Sequence, residues 1–141
     1  MRQRSGFTLV ELMFVVVILS ILVGIAFPAF RRMRERAKEA RVKTNAHTVQ
    51  LAAEDFAVQN HGVYATDDSD TLPSGDTVAS LVMPSVENPF DNTDATPVVW
   101  TGRSDAEGRI GYDTSLEPGV SYLIDGQGEG GTVLFTLSNG H

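Results

Sequence analysis

GFTLVELMFVVVILSILVGIAFPAF, residues 6–30, is the stretch that decides how this chain folds. From Leu12 to Phe30, nineteen residues carry no charged side chain. That length is close to the roughly 20 residues that a helix needs to cross a hydrocarbon core about 30 Å thick. Ser20, Gly24 and Pro28 interrupt the run, and membrane helices tolerate all three residue types. The run therefore predicts a membrane-spanning helix.

The flanks of this run differ from those of an ordinary secretory signal. Arg2 and Arg4 provide the basic start that such a signal has. A cleaved signal also needs small residues in an A-x-A-like pattern just beyond its apolar run. Here the run ends in FPAF and passes directly into Arg31 and Arg32. An ordinary cleaved signal is therefore excluded.

Gly6-Phe7-Thr8-Leu9-Val10-Glu11 resembles the class III signal of type IV prepilins and type II secretion pseudopilins. The resemblance implies that a prepilin peptidase cuts between Gly6 and Phe7 on the cytoplasmic side. It also implies that Phe7 is then N-methylated and that the apolar run is kept. Many members have glycine where this chain has Ser20, so the helix kink expected in a filament is assigned to Gly24 and Pro28.

Glu11 has two interpretations. Thr8-x-x-Glu11 fits a capping box, with Thr8 as the N-cap and Glu11 at the third helical position. A carboxylate in an apolar span also raises the free energy of membrane insertion by on the order of 2.5–3.5 kcal/mol. We therefore expect Glu11 to have a function. The resemblance implies that it pairs with the new α-amino group of Phe7 between subunits. An unpaired buried charge is expensive, so this pair would favour one axial register of the assembly.

Length and composition limit the possible sites. A chain of 141 residues fits one domain. It contains no cysteine, so the disulfide that closes the C-terminal region of many type IVa pilins cannot form here. His47, His61 and His141 are far apart in sequence and have no zinc-ligand spacing.

Charge is distributed very unevenly along the chain. Residues 31–43 contain seven basic residues and two acidic ones, a local charge of +5, whereas residues 44–141 contain two basic residues and fifteen acidic ones, a local charge of −13. Residues 31–43, which we call the basic block, could form a collar at anionic lipid headgroups. They could also neutralise acidic side chains of neighbouring subunits when subunits stack. The basic block lacks interleaved aromatic residues and the rest of the chain is acidic, so nucleic acid is not an expected partner.

The basic block also conflicts with the topology that the resemblance implies. By the positive-inside rule, two arginines before the run and seven basic residues after it would place the C-terminal domain in the cytoplasm. The prepilin resemblance implies the opposite, with the leader inside and the domain outside. We follow the resemblance, because a dedicated peptidase reads the motif.

The sequence divides into five segments. They are a leader at 1–6, a transmembrane and filament-core helix at 7–30, an amphipathic continuation at 31–61, a helix-to-sheet loop region at 62–97 and an antiparallel β-sheet at 98–141. The continuation has an apolar stripe with helical spacing, formed by Val42, Ala46, Val49, Ala53 and Phe56. Asn60-His61-Gly62 is a stop signal for the helix. The predicted fold class is α+β, a long helix packed on a small antiparallel sheet.

Pattern changes mark the later elements. Asp76–Met83 predicts a short helix that ends before Pro84, and Asp67-Asp68-Ser69-Asp70 predicts a solvated acidic loop. Four runs rich in β-branched or aromatic residues predict strands, and residues 125–131 predict a loose hairpin loop. The strands are expected at 98–101, 109–112, 119–124 and 132–137, with core candidates Trp100, Tyr112, Tyr122 and Phe135.

Five aspartates between residues 91 and 125 raise the possibility of a calcium-binding site, because calcium binds six to eight hard oxygen ligands. The major pseudopilin of type II secretion, which the chain resembles, has a calcium-bound C-terminal loop. No spacing here matches a D-x-D-x-D-G loop, so no cofactor and no ligand are assigned. The aspartates considered are Asp91, Asp94, Asp105, Asp113 and Asp125.

The sequence favours a structural subunit over an enzyme. It has no nucleophile elbow, phosphate loop or cluster of metal ligands. The resemblance implies a single-pass inner-membrane precursor, whose helix polymerises with copies of itself after contact with the peptidase and an inner-membrane assembly platform. The leading hypothesis is the major pilin of a type IV pilus. The alternatives are a major pseudopilin of type II secretion and a tip pilin that binds DNA or a surface.

Overall fold

The computed structural model describes residues 6–139, which form two compact units that divide between Glu35 and Arg36. Two helices and a four-stranded sheet make up the regular structure, with one 3₁₀ turn at Glu129–Gly131. The elements are α1 at Leu9–Gln59, α2 at Val78–Val82, β1 at Val98–Val99, β2 at Ile110–Asp113, β3 at Leu123–Gln127 and β4 at Val133–Ser138.

Helix α1 confirms the predicted long helix, which was expected from Thr8 to about Asn60. It ends at the predicted stop signal, where His61 and Gly62 have φ angles of 60° and 87°. The amide of Gly62 donates to the carbonyl of Ala57 at 2.8 Å, which satisfies one of the last helical carbonyls. Glycine adopts a positive φ without the steric cost of a Cβ, so the chain can leave the helix here.

The first unit, up to Glu35, is helical from Leu9 onward, and its apolar side chains are exposed in the single chain. Among the described residues, α1 is the one helix long and apolar enough to cross a membrane. The hydroxyl of Ser20 donates to the carbonyl of Val16 at 2.7 Å. That bond satisfies the hydroxyl within the helix, so it presents no unpaired donor to an apolar environment.

In the second unit, the predicted stripe of α1 packs on the sheet. All five of its side chains are buried. The first four share a core with the β2 and β3 residues Ile110, Tyr112 and Ile124, whereas Phe56 packs in a second cluster with Ala65, Leu72 and Val78. The strand order is β1-β2-β3-β4, and the β2–β3 and β3–β4 pairs are antiparallel. These findings confirm the α+β class.

Close contact between α1 and the sheet depends on Gly126. A Cβ at this position would lie 2.7 Å from Cζ of Phe135 and 2.8 Å from Cγ1 of Val42. Any larger residue would have to displace both the Phe135 ring on β4 and the Val42 side chain on α1. Glycine in β3 therefore lets three elements approach each other.

The pairing of the first strand was predicted wrongly. Strand β1 is parallel to β2, with Val98 opposite Ile110 and Val99 opposite Gly111. The amide of Gly102 donates to the carbonyl of Tyr112 at 3.1 Å in an antiparallel bridge. The connection therefore reverses direction twice before β2 begins, which a pattern of apolar runs does not reveal.

The position of β3 was also predicted wrongly. The expected strand at 119–124 instead begins at Leu123, because the amides of Val120 and Ser121 both donate to the carbonyl of Glu117 at 3.0 Å and form a turn. The amide of Tyr64 donates to the carbonyl of Gly119 at 2.9 Å and holds this turn against the end of α1. Residues 125–127, predicted as hairpin loop, belong to β3.

Two smaller differences concern α2 and the core. Helix α2 is shorter than the predicted 76–83 segment. Of the aromatic core candidates, Tyr112 and Tyr122 are buried, while Trp100 and Phe135 are partly buried against the core.

Candidate assembly site

The predicted capping box forms at the start of α1. The amide and hydroxyl of Thr8 donate to Oε2 of Glu11 at 3.0 Å and 2.8 Å, and the amide of Glu11 lies 3.3 Å from the hydroxyl oxygen of Thr8. These reciprocal contacts satisfy two amides that a helix N-terminus otherwise leaves unpaired. Thr8 and Glu11 are therefore brought together as predicted, and they fix where the helix begins.

The capping box uses only one oxygen of the Glu11 carboxylate. Within residues 6–139, Oε1 of Glu11 has no hydrogen-bond partner. Leu9, Val10 and Leu12 around it are all exposed in the single chain. The carboxylate can therefore keep its hydrogen bonds to Thr8 through Oε2 and accept a hydrogen bond from a charged donor through Oε1 at the same time.

Gly6 and Phe7 precede the helix cap and are exposed to solvent in the single chain. Phe7 is 82% exposed, and a Cβ added to Gly6 would meet nothing within 4 Å. The structure itself therefore does not require glycine at this position. The rest of the predicted leader, including Arg2 and Arg4, lies outside the described residues.

Gly24 and Pro28 both lie inside α1, which continues through them. A Cβ added to Gly24 would also meet nothing within 4 Å. Proline in a helix removes a hydrogen bond and weakens the helix locally, by about 3 kcal/mol when compared with alanine. The assignment of a filament kink to these two residues stays a prediction.

Most side chains of the basic block, residues 31–43, form no ion pair within residues 6–139. Arg31 contacts Glu35 at 3.9 Å, and Arg41 contacts Glu87 at 3.8 Å. Exposed pairs of this kind contribute little stability. Lys38 lies 4.7 Å from the ring centroid of Phe90. The remaining basic side chains are exposed and have no ion pair among the described residues; they are Arg32, Arg34, Arg36 and Lys43.

Arg109 holds the loops beside the sheet. Its Nε and Nη2 donate to the carboxylate of Asp94 at 2.8 Å and 3.1 Å, and its Nη1 donates to Asp105 at 3.1 Å. The Asp94 side chain is only 6% exposed and also accepts a hydrogen bond from Asn88 at 3.0 Å. The Arg109 hydrogen bonds hold the pKa of Asp94 well below its usual range.

The five aspartates considered for calcium do not converge on one ion. Asp91 and Asp113 close short turns of their own with Thr93 and Ser115. Buried Asp125 accepts a hydrogen bond from the amide of Ser104 at 3.1 Å. Within residues 6–139, no group of three or more His, Asp or Glu side chains could hold a metal ion. The donor set therefore does not fit calcium, and Arg109 supplies the positive charge between Asp94 and Asp105.

An aromatic cluster joins the loop after α1 to the sheet. Tyr64 lies 5.0 Å from Tyr122, Tyr122 lies 5.8 Å from Tyr112, and Tyr112 lies 5.4 Å from Trp100, measured between ring centroids. Glu54 on α1 accepts hydrogen bonds from the hydroxyls of Tyr64 at 3.1 Å and Tyr122 at 2.6 Å. Burial raises the pKa of Tyr112 and of Tyr122. Glu54 has no local sequence signal, because its contact with Tyr122 forms only once the chain before β3 packs on α1.

The acidic loop closes on itself. Asp70 accepts hydrogen bonds from the amide and hydroxyl of Thr66 at 2.6 Å and 3.0 Å, and Asp67 accepts from the amide and hydroxyl of Ser69 at 2.7 Å and 2.6 Å. The Ser69 hydrogen bonds lower the pKa of Asp67. These are turn contacts at the protein surface, in agreement with the predicted solvated loop.

Comparison with known proteins identifies the family. A family model described as a prokaryotic N-terminal methylation motif matches residues 1–27. The chain is 36% identical over 86 residues to the type IV narrow pilus major component PilA5 of Thermus thermophilus, and that alignment covers 61% of this chain and 74% of the relative. The chain belongs to the type IV pilin family.

Two further relatives match shorter parts. The type IV major pilin protein PilA of Myxococcus xanthus is 45% identical over 54 residues, which cover 38% of this pilin chain and 24% of that protein. The type II secretion system core protein G of Vibrio cholerae is 37% identical over 68 residues, covering 48% and 46% of the two chains. No solved structure matches the chain.

Proposed function

We propose that this pilin is the major structural subunit of a type IV pilus. The observation that carries this proposal is coverage: the alignment spans 74% of a pilus major component, compared with 46% of core protein G. The alignment with the pilus component extends beyond the shared N-terminal helix, because it covers 86 residues. It therefore includes part of the globular unit, where pilins differ from each other.

The exposed apolar helix supports polymerisation as the function. Side chains from Leu12 to Phe30 have nothing covering them in the single chain, so they need lipid or other copies of the helix. Cleavage of the Gly6–Phe7 peptide bond would release the helix from its leader, and methylation would then modify the new amino group of Phe7. The new amino group of Phe7 would then pair with the free oxygen of Glu11 in a neighbouring copy.

The proposed location follows from the same helix. The precursor spans the inner membrane once, with its globular unit outside the cytoplasm, and the processed subunit leaves for an extracellular filament. Its partners are the prepilin peptidase, an inner-membrane assembly platform and further copies of itself. The positive-inside count for the basic block favours the opposite orientation; the placement proposed here rests on the prepilin resemblance, which the N-terminal methylation motif matched at residues 1–27 supports.

A second candidate is the major pseudopilin of a type II secretion system. The similarity to core protein G of Vibrio cholerae supports it. The loops beside the sheet argue against a calcium-dependent version, because Arg109 already neutralises Asp94 and Asp105.

Deletion and complementation separate the two candidates. We expect deletion of the gene to abolish long surface fibres and complementation to restore them, with this chain as the main protein of the sheared fibres by mass spectrometry. Retention of fibres after deletion, together with loss of secreted proteins from the medium, would instead assign the chain to a secretion pseudopilus.

A further inference from the structure

The basic block divides into two parts whose side chains make different contacts. In its second part, Lys38 lies 4.7 Å from the ring centroid of Phe90, and Arg41 contacts Glu87 at 3.8 Å. Asn45 on the same helix donates to the carbonyl of Glu87 at 2.7 Å. Lys38 and Arg41 therefore have partners in the loop between α2 and β1 of their own chain.

The first part of the basic block, residues 31–36, follows the apolar run directly. It contains four arginines, no lysine and one glutamate, so its net charge is +3. Arg31 has one exposed ion pair at 3.9 Å, and such a pair contributes little. The other three arginines are exposed and form no ion pair in the part of the chain that the structure describes. We call them the collar arginines; they are Arg32, Arg34 and Arg36.

Helix geometry places the collar arginines at the depth of lipid headgroups. A hydrocarbon core about 30 Å thick in a bilayer of about 40–45 Å leaves a headgroup layer roughly 5–7 Å deep on each side. At a rise of about 1.5 Å per residue, Arg32, Arg34 and Arg36 lie about 3, 6 and 9 Å beyond Phe30 along α1. Side chains on a helix lean towards its N-terminus, and a long arginine side chain can extend back to the interface. All three guanidinium groups can therefore reach the headgroup layer.

We infer that the collar arginines bind the phosphate groups of anionic phospholipids around the precursor in the membrane. A guanidinium group presents a planar fork of N–H donors that matches two phosphate oxygens, whereas a lysine ammonium group acts as a point charge. Anionic lipids also attract basic residues that lie next to a membrane-spanning helix. The inference rests on the proposed membrane-spanning precursor, but not on the choice between a pilus and a secretion filament.

The collar faces lipid on two sides of the helix. Arg32 and Arg36 are four residues apart and share one face of α1, while Arg34 lies on the opposite face at 3.6 residues per turn. The arginines therefore contact the surrounding lipids rather than one enclosed lipid molecule.

Acidic side chains of a neighbouring subunit are the other class of partner for this surface. A second precursor in the same membrane presents the same residues at this depth, four arginines and one glutamate. Its net positive charge repels the collar, whereas lipid phosphates carry the complementary charge. Anionic phospholipid is therefore the partner that fits the precursor.

Lipid selectivity of the full-length chain in a bilayer tests the inference. The chain is reconstituted into phosphatidylcholine vesicles that contain a trace of spin-labelled phosphatidylglycerol or spin-labelled phosphatidylcholine. Electron paramagnetic resonance then measures the fraction of each lipid whose motion the protein restricts. We expect association to favour phosphatidylglycerol about fivefold, which is the attraction of one basic residue to an anionic surface. The preference should fall in about 1 M salt, where the Debye length is only about 3 Å.

Arg34→Gln and Lys43→Gln form a matched pair of variants. Each removes one exposed charge that has no ion pair within the described residues. Lys43 lies about 20 Å beyond Phe30 along the helix, outside the headgroup layer. We expect Arg34→Gln to lower the preference for phosphatidylglycerol at least twofold and Lys43→Gln to leave it unchanged.

A triple variant in which all three collar arginines are replaced by glutamine should lose the preference for phosphatidylglycerol. Equal selectivity in the two single variants, or a preference that the triple variant retains, would overturn the inference and leave subunit contacts as the role of these arginines. A wild-type chain that restricts neither spin-labelled lipid would overturn the proposed membrane location as well.

Discussion

At Glu11, one carboxylate closes the start of α1 and, in the proposed filament, also carries the charge that selects the subunit register. Glutamine separates the two roles, because its amide oxygen can still cap a helix but has no charge. We expect Glu11→Gln to be inserted and cleaved normally, while the yield of sheared filaments falls at least tenfold. Quantitative immunoblots of the membrane and sheared fractions measure the ratio.

Thr8→Ala is the matched control for the Glu11 variant. It removes the N-cap, at a cost of about 1 kcal/mol, but keeps the charge of Glu11. The loss of filaments should therefore be smaller than for Glu11→Gln. A Glu11→Gln chain that assembles as well as the wild type would show that the charge does not set the register.

At Gly6, the absence of contacts allows a clean test of processing. A Cβ at this position meets nothing within 4 Å, so Gly6→Leu should leave the globular unit folded. We expect the variant to accumulate as an uncut precursor, because the proposed peptidase recognises glycine before the cut. The precursor is detected as an intact mass that still contains residues 1–6. Gly24→Ala, another glycine with open space around it, should be cut normally, and normal cutting of Gly6→Leu would mean that the cleavage site lies elsewhere.

Among the elements, the loops beside the sheet are held together by the ion pairs of Arg109 with Asp94 and Asp105. We expect Arg109→Gln to lower the free energy of unfolding by roughly 3 kcal/mol, since it leaves the nearly buried Asp94 carboxylate without its partner. Chemical denaturation of the full chain in detergent, followed by tryptophan fluorescence, gives this value. Lys43→Gln, an exposed residue outside any ion pair of residues 6–139, should change the stability by less than about 0.5 kcal/mol.

The same ion pair predicts a pH dependence. The pKa of Asp94 is lower in the folded chain than in the unfolded chain, so its stabilisation is present above about pH 4 and is lost as the pH falls through the folded pKa. The unfolding free energy of the wild type should therefore decrease below about pH 4, and Arg109→Gln should show a shallower decrease. Equal slopes for the two proteins would contradict the assigned role of Asp94.

The elements also show what the sequence could predict. The long helix, its buried stripe and its stop at His61-Gly62 were predicted because a 3.6-residue period and a positive φ are local properties. The parallel pairing of β1 and the shift of β3 were not predicted, because they depend on where the Gly102 and Glu117 turns lie in space. Arg109 and Asp94 are fifteen residues apart, and no spacing rule connects them before the loops fold.

At the scale of the whole molecule, the charge asymmetry fits a subunit with three environments. The uncharged half of α1 suits lipid and then the filament interior, and the acidic globular unit suits water. The basic block makes few ion pairs with the rest of the part of the chain that the structure describes, so it remains available to lipid headgroups or to acidic neighbours. The sequence specified this division, but which residues of the sheet cover the buried face of α1 became evident only from the fold.

The mass of the intact subunit in purified surface filaments determines whether the chain is a processed major pilin. We expect sheared filaments to contain, as their main protein, a chain from Phe7 to His141 with one added methyl group. That mass requires cleavage after Gly6, N-methylation of Phe7 and export of the retained helix in a single molecule. A full-length mass that includes Met1, or a processed chain confined to the cell envelope, would contradict the assignment as a major pilin.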